Sequence, residues 1–566
     1  MVRRGAAFGL ADALAALLVL GALALLAEFA RELVGPAPTA APIALDPSHL
    51  PLLALRTTSR MLAAMALSLL FTFTVATWAA KSRRAERVLL PLLDILQSVP
   101  ILGFLSVTAT AFLAIAPGRA AGAELAAIFA IFTSQAWNMA FSFYQSLRTV
   151  PRELEEAARS FRLNGWMRFW RLEVPFALPA LVWNMMMSMS GGWFFVVAAE
   201  AITVGETTVV LPGIGSWIAR AIDERDLAAV GWALAAMAIV ILLYDRLLFR
   251  PLVAWSERFR YEGEAGATSE RSAVLEILRR SHLLGLVGAP LGHLWRAGYR
   301  LSARLGRAGV TGGNRTSPLV WLDRAGVVLL LVIGALAAHR AVEFALLGVR
   351  PDELARVVAL GGLTAVRVVV LLLLASVLWV PIGVRLGLRP ELARIAQPIA
   401  QMLAAFPTNL LFPVAVSAIV AWRLDPDVWL SPLMILGTQW YVLFNVIAGA
   451  AAIPRELHDV AASLRVRGWL WWRKVALPAI VPFWLTGAIT ASGGAWNASI
   501  VAELARWGGV RLEAHGLGAY IALTTEAGDF HRIVLGIAVM SAFVVGINRL
   551  VWRPLYRWAE RAFRLD

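Results

Sequence analysis

The chain has 566 residues, 59% of them hydrophobic and 16% charged, with a net charge of +15 and a mean hydropathy of +0.70. Soluble domains carry roughly 25% charged residues, and a helix of ~20 apolar residues crosses a bilayer. The composition therefore excludes an ordinary soluble enzyme and points to an all-α polytopic membrane protein. Continuous Leu- and Ala-rich runs, in place of ~10-residue alternating segments, argue against a β-barrel, and the absence of cysteine removes disulfides, thiolate metal sites and a cysteine nucleophile.

In chain order, MVRR precedes an apolar run over 6–30 that is too long for the core of a signal peptide, so it reads as a retained first helix. Further apolar spans fall at 61–80, 90–115, 124–146, 176–200 and 227–249. A second set falls at 319–346, 363–384, 396–420, 430–452, 478–502 and 532–551. This predicts about 12 transmembrane helices, six and six. With Arg3 and Arg4 inside, alternation puts the basic segments on the cytoplasmic side: Lys81–Arg87, 148–175, 251–318, Arg385–Arg394, 454–477 and the tail from Arg553. That is the distribution the positive-inside rule requires, with both termini cytoplasmic. It also accounts for the net charge without nucleic acid.

The polar stretch Pro151–Pro179 recurs as Pro454–Pro482 with an offset of 303, and 11 of 29 positions are identical. The same offset pairs Trp137 with Trp440, Gly191 with Gly494, Glu200 with Glu503, and Gly213 and Gly215 with Gly516 and Gly518. Upstream, Pro91 and Pro100 match Pro398 and Pro407 at an offset of 307, which implies a four-residue indel. Equal span counts between matched loops make the halves parallel repeats about an axis along the membrane normal. The linker 251–318 is basic with Gly-rich ends, and the pieces near 270–281 and 291–307 read as amphipathic surface helices.

Within the repeated loop, Glu153, Glu155 and Glu156 fall early in a helix that begins after Pro151, where carboxylates suit the dipole. Ala157 and Ala158 allow close packing, and Gly165-Trp166 is expected to end or turn the helix. Glu156-Ala157-Ala158 followed by Leu172, Val174 and Pro175 resembles the EAA loop of ABC-importer permeases. The second copy reads Asp459-Val460-Ala461, then Val475, Leu477 and Pro478. A Glu after the fifth helix followed by Gly-x-Gly is similar to the nitrate, sulfonate and taurine branch.

The resemblance implies a type I importer permease fold with two permease domains, 57–250 and 360–552. Flanking these are an N-terminal helix and outer loop (1–56), the linker (251–318), an extra helix and outer loop (319–359) and a tail (553–566). It also implies two ABC ATPase subunits on the loops, a solute-binding protein outside, and a cytoplasmic membrane of a prokaryote as the location. The expected docking residues are Glu156, Ala157, Ala158, Arg162, Gly165, Asp459, Ala461, Arg465 and Gly468. The family's loop glycine falls on Arg162 and Arg465, so either the turn has moved to Gly165 and Gly468 or the arginines make contacts of their own.

The only lysines are Lys81 and Lys474, and neither completes a phosphate-binding loop, so ATP belongs to the partner ATPase and no cofactor is expected in this chain. No histidine spacing suits a metal, and no catalytic constellation is visible. Polar residues within apolar spans are costly in lipid and mark a path or gate: Gln135, Asn138, Asn184, Gln439, Asn445 and Asn497, with Glu200 and Glu503 at the outer ends of the fifth helices. Interhelical hydrogen bonds explain the amides equally well. A secondary transporter with two six-helix halves is the rival reading, although its short basic motif after the second helix is replaced here by KSRRAER.

Overall fold

A computed structural model describes residues 10–34, 43–97, 99–117, 119–204, 207–260, 272–281, 292–293, 296–297, 318–347 and 350–562. The first half comprises α1 (Leu10–Val34), α2 (Pro47–Lys81), α3 (Arg83–Leu96), α4 (Ile101–Ile115), α5 (Ala120–Arg148), α6 (Arg152–Ser160), α7 (Gly165–Ala199), α8 (Ile214–Glu224) and α9 (Leu227–Phe259). After the linker helix α10 (Ala273–Arg280) come α11 (Pro318–Leu347), α12 (Pro351–Gly387), α13 (Glu391–Ala405), α14 (Thr408–Ala421), α15 (Pro426–Ile435), α16 (Gln439–Ala451), α17 (Arg455–Ser463), α18 (Gly468–Ala502), α19 (Leu517–Ala527) and α20 (Phe530–Ala559).

Every predicted apolar run falls on helices among the described residues, but the runs do not all form straight spans. Among the described residues, seven helices are long and apolar enough to cross a membrane, and three bent pairs raise the number to ten. The pair α3/α4 bends by 90° and α13/α14 by 76°. The matched prolines Pro100 and Pro407 stand at these two breaks in extended conformation, where they lack an N–H and force the preceding residue out of the helical region. In the second half a further bend of 43° separates α15 from α16, while its counterpart α5 runs on unbroken.

A second local rule recurs. Wide π-type turns at Phe169–Glu173, Asp245–Phe249, Trp472–Ala476 and Asn548–Trp552 each end two residues before a proline: Pro175, Pro251, Pro478 and Pro554. A proline ring clashes with the carbonyl four residues back, and widening that turn makes room for it.

Two short antiparallel hairpins were not foreseen in the all-α reading. They are β1 (Ala201–Val204) with β2 (Thr207–Val210), and β3 (Leu504–Trp507) with β4 (Val510–Glu513). The halves exchange packing. Ile101, Leu102 and Leu105 of α4 sit in the second half's core with Trp496 and Val539, and Leu410 of α14 sits in the first half's core with Trp193 and Ile131. In the linker, 273–280 is helical as expected; most of the predicted piece at 291–307 lies outside the described residues.

Candidate functional site

At the end of α7, Glu200 is fully buried. Its Oε1 accepts from Thr57 Oγ1 (2.7 Å) and Arg60 Nη1 (2.8 Å), and its Oε2 accepts from the backbone N–H of Gly215 (2.7 Å). Arg60 also donates to Glu124 through Nε (2.6 Å) and Nη2 (2.7 Å). One guanidinium thus holds two carboxylates, and the first turn of α8 supplies the remaining donor. The glycines are required by close approach. A Cβ on Gly213 would fall 2.2 Å from the Glu200 carboxyl carbon, and one on Gly215 would fall 2.2 Å from the Val197 carbonyl oxygen.

The second half repeats the cluster. Glu503 Oε1 accepts from Thr364 Oγ1 (2.9 Å) and Arg367 Nη1 (3.1 Å), its Oε2 accepts from Gly518 N (2.8 Å), and Arg367 Nη2 donates to Asp427 Oδ1 (2.7 Å). Thr364 and Arg367 follow Thr57 and Arg60 at the 307 offset, and Asp427 follows Glu124 at 303, so the indel lies between them. This copy is more open. Its Asp427 is 38% exposed, and His515, in the place of Pro212, sets Nδ1 2.9 Å from Asp427 Oδ2. Asp427 holds the imidazole above the usual histidine range, mainly through that hydrogen bond.

Between the halves lies a cavity of about 340 Å³. Gln97, Ser134, Trp137, Asn138 and Ser190 line it from the first half, and Thr438, Tyr441, Thr490, Trp496 and Asn497 from the second. Of the residues expected along a path, Asn138 and Asn497 are here. The others face elsewhere. Gln135 is buried against Ser68, Met61 and Met189. Asn184 donates to Ser142 Oγ. Gln439 accepts from Trp379 Nε1, and Asn445 donates to the Tyr441 carbonyl one turn back. Glu200 and Glu503 lie in the clusters just described, away from the cavity lining. Arg60, Glu124, Arg367 and Asp427 were missed: only Arg367 falls well inside a predicted apolar run, Glu124 opens one, and Arg60 and Asp427 lie just outside.

The repeated loops are helix–turn–helix units. In the first, Arg162 has φ 51°, its N–H bonds to the Arg159 carbonyl (2.8 Å), and Leu163 N bonds to the Ala158 carbonyl (3.0 Å). In the second, Arg465 has φ 53°, with the matching bonds Arg465 N to Ala462 O (3.1 Å) and Val466 N to Ala461 O (2.8 Å). Both are complete Schellman closures, so the turn stays at the arginines. Gly165 opens the next helix instead of ending the first, and Asn164 caps it by accepting from Met167 N (2.8 Å). Gly468 also has positive φ, at 58°.

Ala158 and Ala461 are buried against the body. Glu156, Ala157, Asp459 and Val460 face out beside exposed Phe161, Trp166, Leu464 and Trp469. The first loop is pinned by Glu173, whose carboxylate lies 2.8 Å from both Lys81 Nζ and Arg168 Nε. Ala476 takes the position of Glu173 in the second loop.

Two helical repeats round a shared cavity, each carrying the same cytoplasmic-type loop, define a multi-pass membrane transport domain. Residues 69–250 and 379–565 match the family of binding-protein-dependent transport system inner membrane components, together more than half of the chain, and the chain belongs to that family. The bicarbonate transport system permease protein CmpB of Synechococcus elongatus is 28% identical over 189 residues, 33% of this chain and 64% of its own length. The nitrate import permease protein NrtB of Leptolyngbya laminosa is 28% identical over 185 residues, 33% of this chain and 63% of its own. The glycine betaine/carnitine transport permease protein GbuB of Listeria monocytogenes is 28% identical over 193 residues, 34% of this chain and 63% of its own. The chain therefore spans a little under two thirds of the length of each of these relatives.

Proposed function

We propose that the chain supplies both pore halves of an ATP-driven importer for a small polar solute, working with separate ATPase subunits and an extracytoplasmic solute-binding protein. The observation that carries this reading is the recurrence of one rigid loop. In each half a short helix closes through a left-handed arginine, buries one alanine and exposes an acidic residue beside two large apolar side chains. Two such loops fit two ATPase subunits. Their geometry transmits force because each loop runs directly into a long pore helix, α7 or α18. ATP-driven approach of the subunits would draw the loops together, shifting a two-state equilibrium of the pore.

The charge distribution supports cytoplasmic termini, and relatives from Synechococcus and Listeria support the cytoplasmic membrane of a prokaryote as the location. The relatives' names point to bicarbonate, nitrate or glycine betaine as the kind of solute. Charge reversal at Glu156 and Asp459 tests the docking. Loss of ATPase co-purification and of ATP-dependent uptake is expected, and an unchanged complex overturns it. Uptake into vesicles driven by an ion gradient without ATPase would favour the secondary-transporter reading instead.

A further inference from the structure

We propose that the tail of the last membrane helix, Arg553–Ala562, binds the headgroup of an anionic phospholipid at the membrane surface. This needs the membrane class of the chain and not the importer reading above. The tail continues α20 beyond the last apolar run, 532–551. A run of about 20 residues rises about 30 Å, the thickness of the hydrocarbon core. Arg553 therefore stands at the edge of the core. Arg557 lies about 6 Å further out, within a headgroup layer of roughly 5–8 Å on each side. Arg549, Arg553, Arg557 and Arg561 follow at four-residue spacing along one side of the helix, and Leu555, Trp558 and Ala562 form the adjoining side. Glu560 is the sole acidic residue over 549–561.

A contrast between the halves isolates this surface. At the 303 offset, 250–259 corresponds to 553–562. In the first half the linker helix α10 packs on that stretch. Pro251 and Ser256 are buried there, and Leu252, Val253 and Trp255 are half-buried. The cations beside them are satisfied: Arg250 pairs with Asp245 (2.9 Å), Arg260 pairs with Glu257 (2.7 Å), and Arg258 lies over the Trp255 and Phe259 rings. In the second half Ala559 is buried and the tail packs against α18, but Pro554, Leu555, Tyr556 and Trp558 are exposed, Trp558 at 54%. Asn548 replaces Asp245, and Arg553 pairs with Asp94 of the first half instead. Arg557, where the first half has Ala254, donates to the Arg553 carbonyl, and neither it nor Arg561 meets a carboxylate among the described residues.

Arg557 and Arg561, with Pro554, Trp558 and Ala562, line an open recess of about 390 Å³. Two guanidinium forks suit a phosphodiester, and the Trp558 ring beside Pro554 and Ala562 suits the glycerol and the first acyl carbons. Arginines flanking a tryptophan on an amphipathic helix at this depth match an anionic bilayer surface. A zwitterionic lipid brings its own ammonium group, and soluble phosphate lacks the acyl carbons, so neither matches both walls of the recess.

The test places the full chain in phosphatidylcholine nanodiscs with or without phosphatidylglycerol and follows hydrogen exchange over 553–562 and 250–259 in the same molecule. Phosphatidylglycerol should slow exchange at 556–562 about tenfold or more, the worth of two arginines at an anionic surface, and leave 250–259 unchanged. Inorganic phosphate added to pure phosphatidylcholine discs should change neither. R557Q/R561Q should abolish the slowing. R258Q/R260Q removes the same charge from the covered half and should not. All four arginines are exposed, and exchange in the membrane helices checks that each variant is folded. Salt at about 1 M should also weaken the slowing in the unsubstituted chain, a measurement that needs no variant. Equal slowing in both tails, slowing by phosphate alone, or slowing that survives R557Q/R561Q or high salt overturns the proposal. Slowing that requires an added ATPase subunit and not phosphatidylglycerol gives the face to that partner and overturns it too.

Discussion

Arg60 and Glu200 lie 140 residues apart in the chain and 2.8 Å apart in the fold, with neither side chain exposed. Glu124 shares the same guanidinium. Removing one partner of a buried pair leaves an uncompensated charge and costs about 3–5 kcal/mol. Arg60→Met should therefore lower the thermal midpoint of the detergent-solubilised protein sharply, because two carboxylates lose their only shared cation within the cluster. Arg367→Met in the second half should cost less. Its side chain is 15% exposed and Asp427 is 38% exposed, so water can replace part of what is lost. Equal losses in the two variants would contradict the account of one sealed and one open cluster.

The glycines beside these carboxylates make a sharper contrast. A methyl group on Gly215 or Gly518 would meet helix backbone, 2.2 Å from the Val197 oxygen or 2.4 Å from the Ser499 carbonyl carbon. Backbone inside a packed helix cannot step aside, so Gly215→Ala and Gly518→Ala should each cost about 1–3 kcal/mol or more. Gly165 has nothing within 4 Å of an added Cβ and sits at the first position of a helix. Gly165→Ala should be neutral or stabilising by up to about 1 kcal/mol through reduced freedom of the unfolded chain. Expression-normalised melting of the three variants checks the order.

Much of this architecture could be read from the repeat. The 303 offset tied Glu200 to Gly-x-Gly because those contacts are only 15 residues apart, on one side of the indel. Arg60 and Glu124 escaped because the indel separates their offsets, and no local pattern links residues 64 apart. The hairpins carried a signal in Ala201–Val204 and Thr207–Val210, β-branched runs either side of Gly-Glu, which the surrounding helical runs obscured. The path was less legible for a different reason. A polar residue in a lipid-spanning helix can face a pore or bond to its neighbours, and composition does not give the rotation of the helix. Asn138 turns inward, while Asn445 bonds to its own helix.

Of the two readings the sequence left open, the turn stays at the arginines, for an energetic reason. A left-handed backbone costs a residue with a Cβ only about 1–2 kcal/mol, small enough for the two hydrogen bonds of a Schellman closure to hold Arg162 there. Arg162→Gly and Arg465→Gly should relieve that cost and slow hydrogen exchange at Leu163 and Val466, whose N–H groups close the turns. If the exposed arginines also contact the ATPase, the same variants should weaken the complex while the loop itself becomes more stable. Hydrogen exchange of the free chain, compared with co-purification of the complex, separates the two effects.

His515 introduces a pH dependence into one half only. Its Nδ1 faces Asp427, with Glu513 and Arg367 also nearby, and the hydrogen bond to Asp427 leads the causes that raise its pKa. A group whose pKa is raised on folding contributes stability that is complete below its unfolded value, about 6.5, and is lost as pH rises through the folded value. The second-half cluster should therefore loosen modestly as pH climbs above the ordinary histidine value and through the raised one. The effect is small because the ring is 75% exposed. Pro212 stands at the equivalent position in the first half, so that cluster should show no matching step. Hydrogen exchange at Leu517 and Gly518, whose N–H groups bond to Thr364 and Glu503, should quicken with pH beyond its intrinsic dependence. The excess should vanish in His515→Gln, and Ile214 and Gly215 should show none. An excess that survives the substitution would place the titrating group elsewhere.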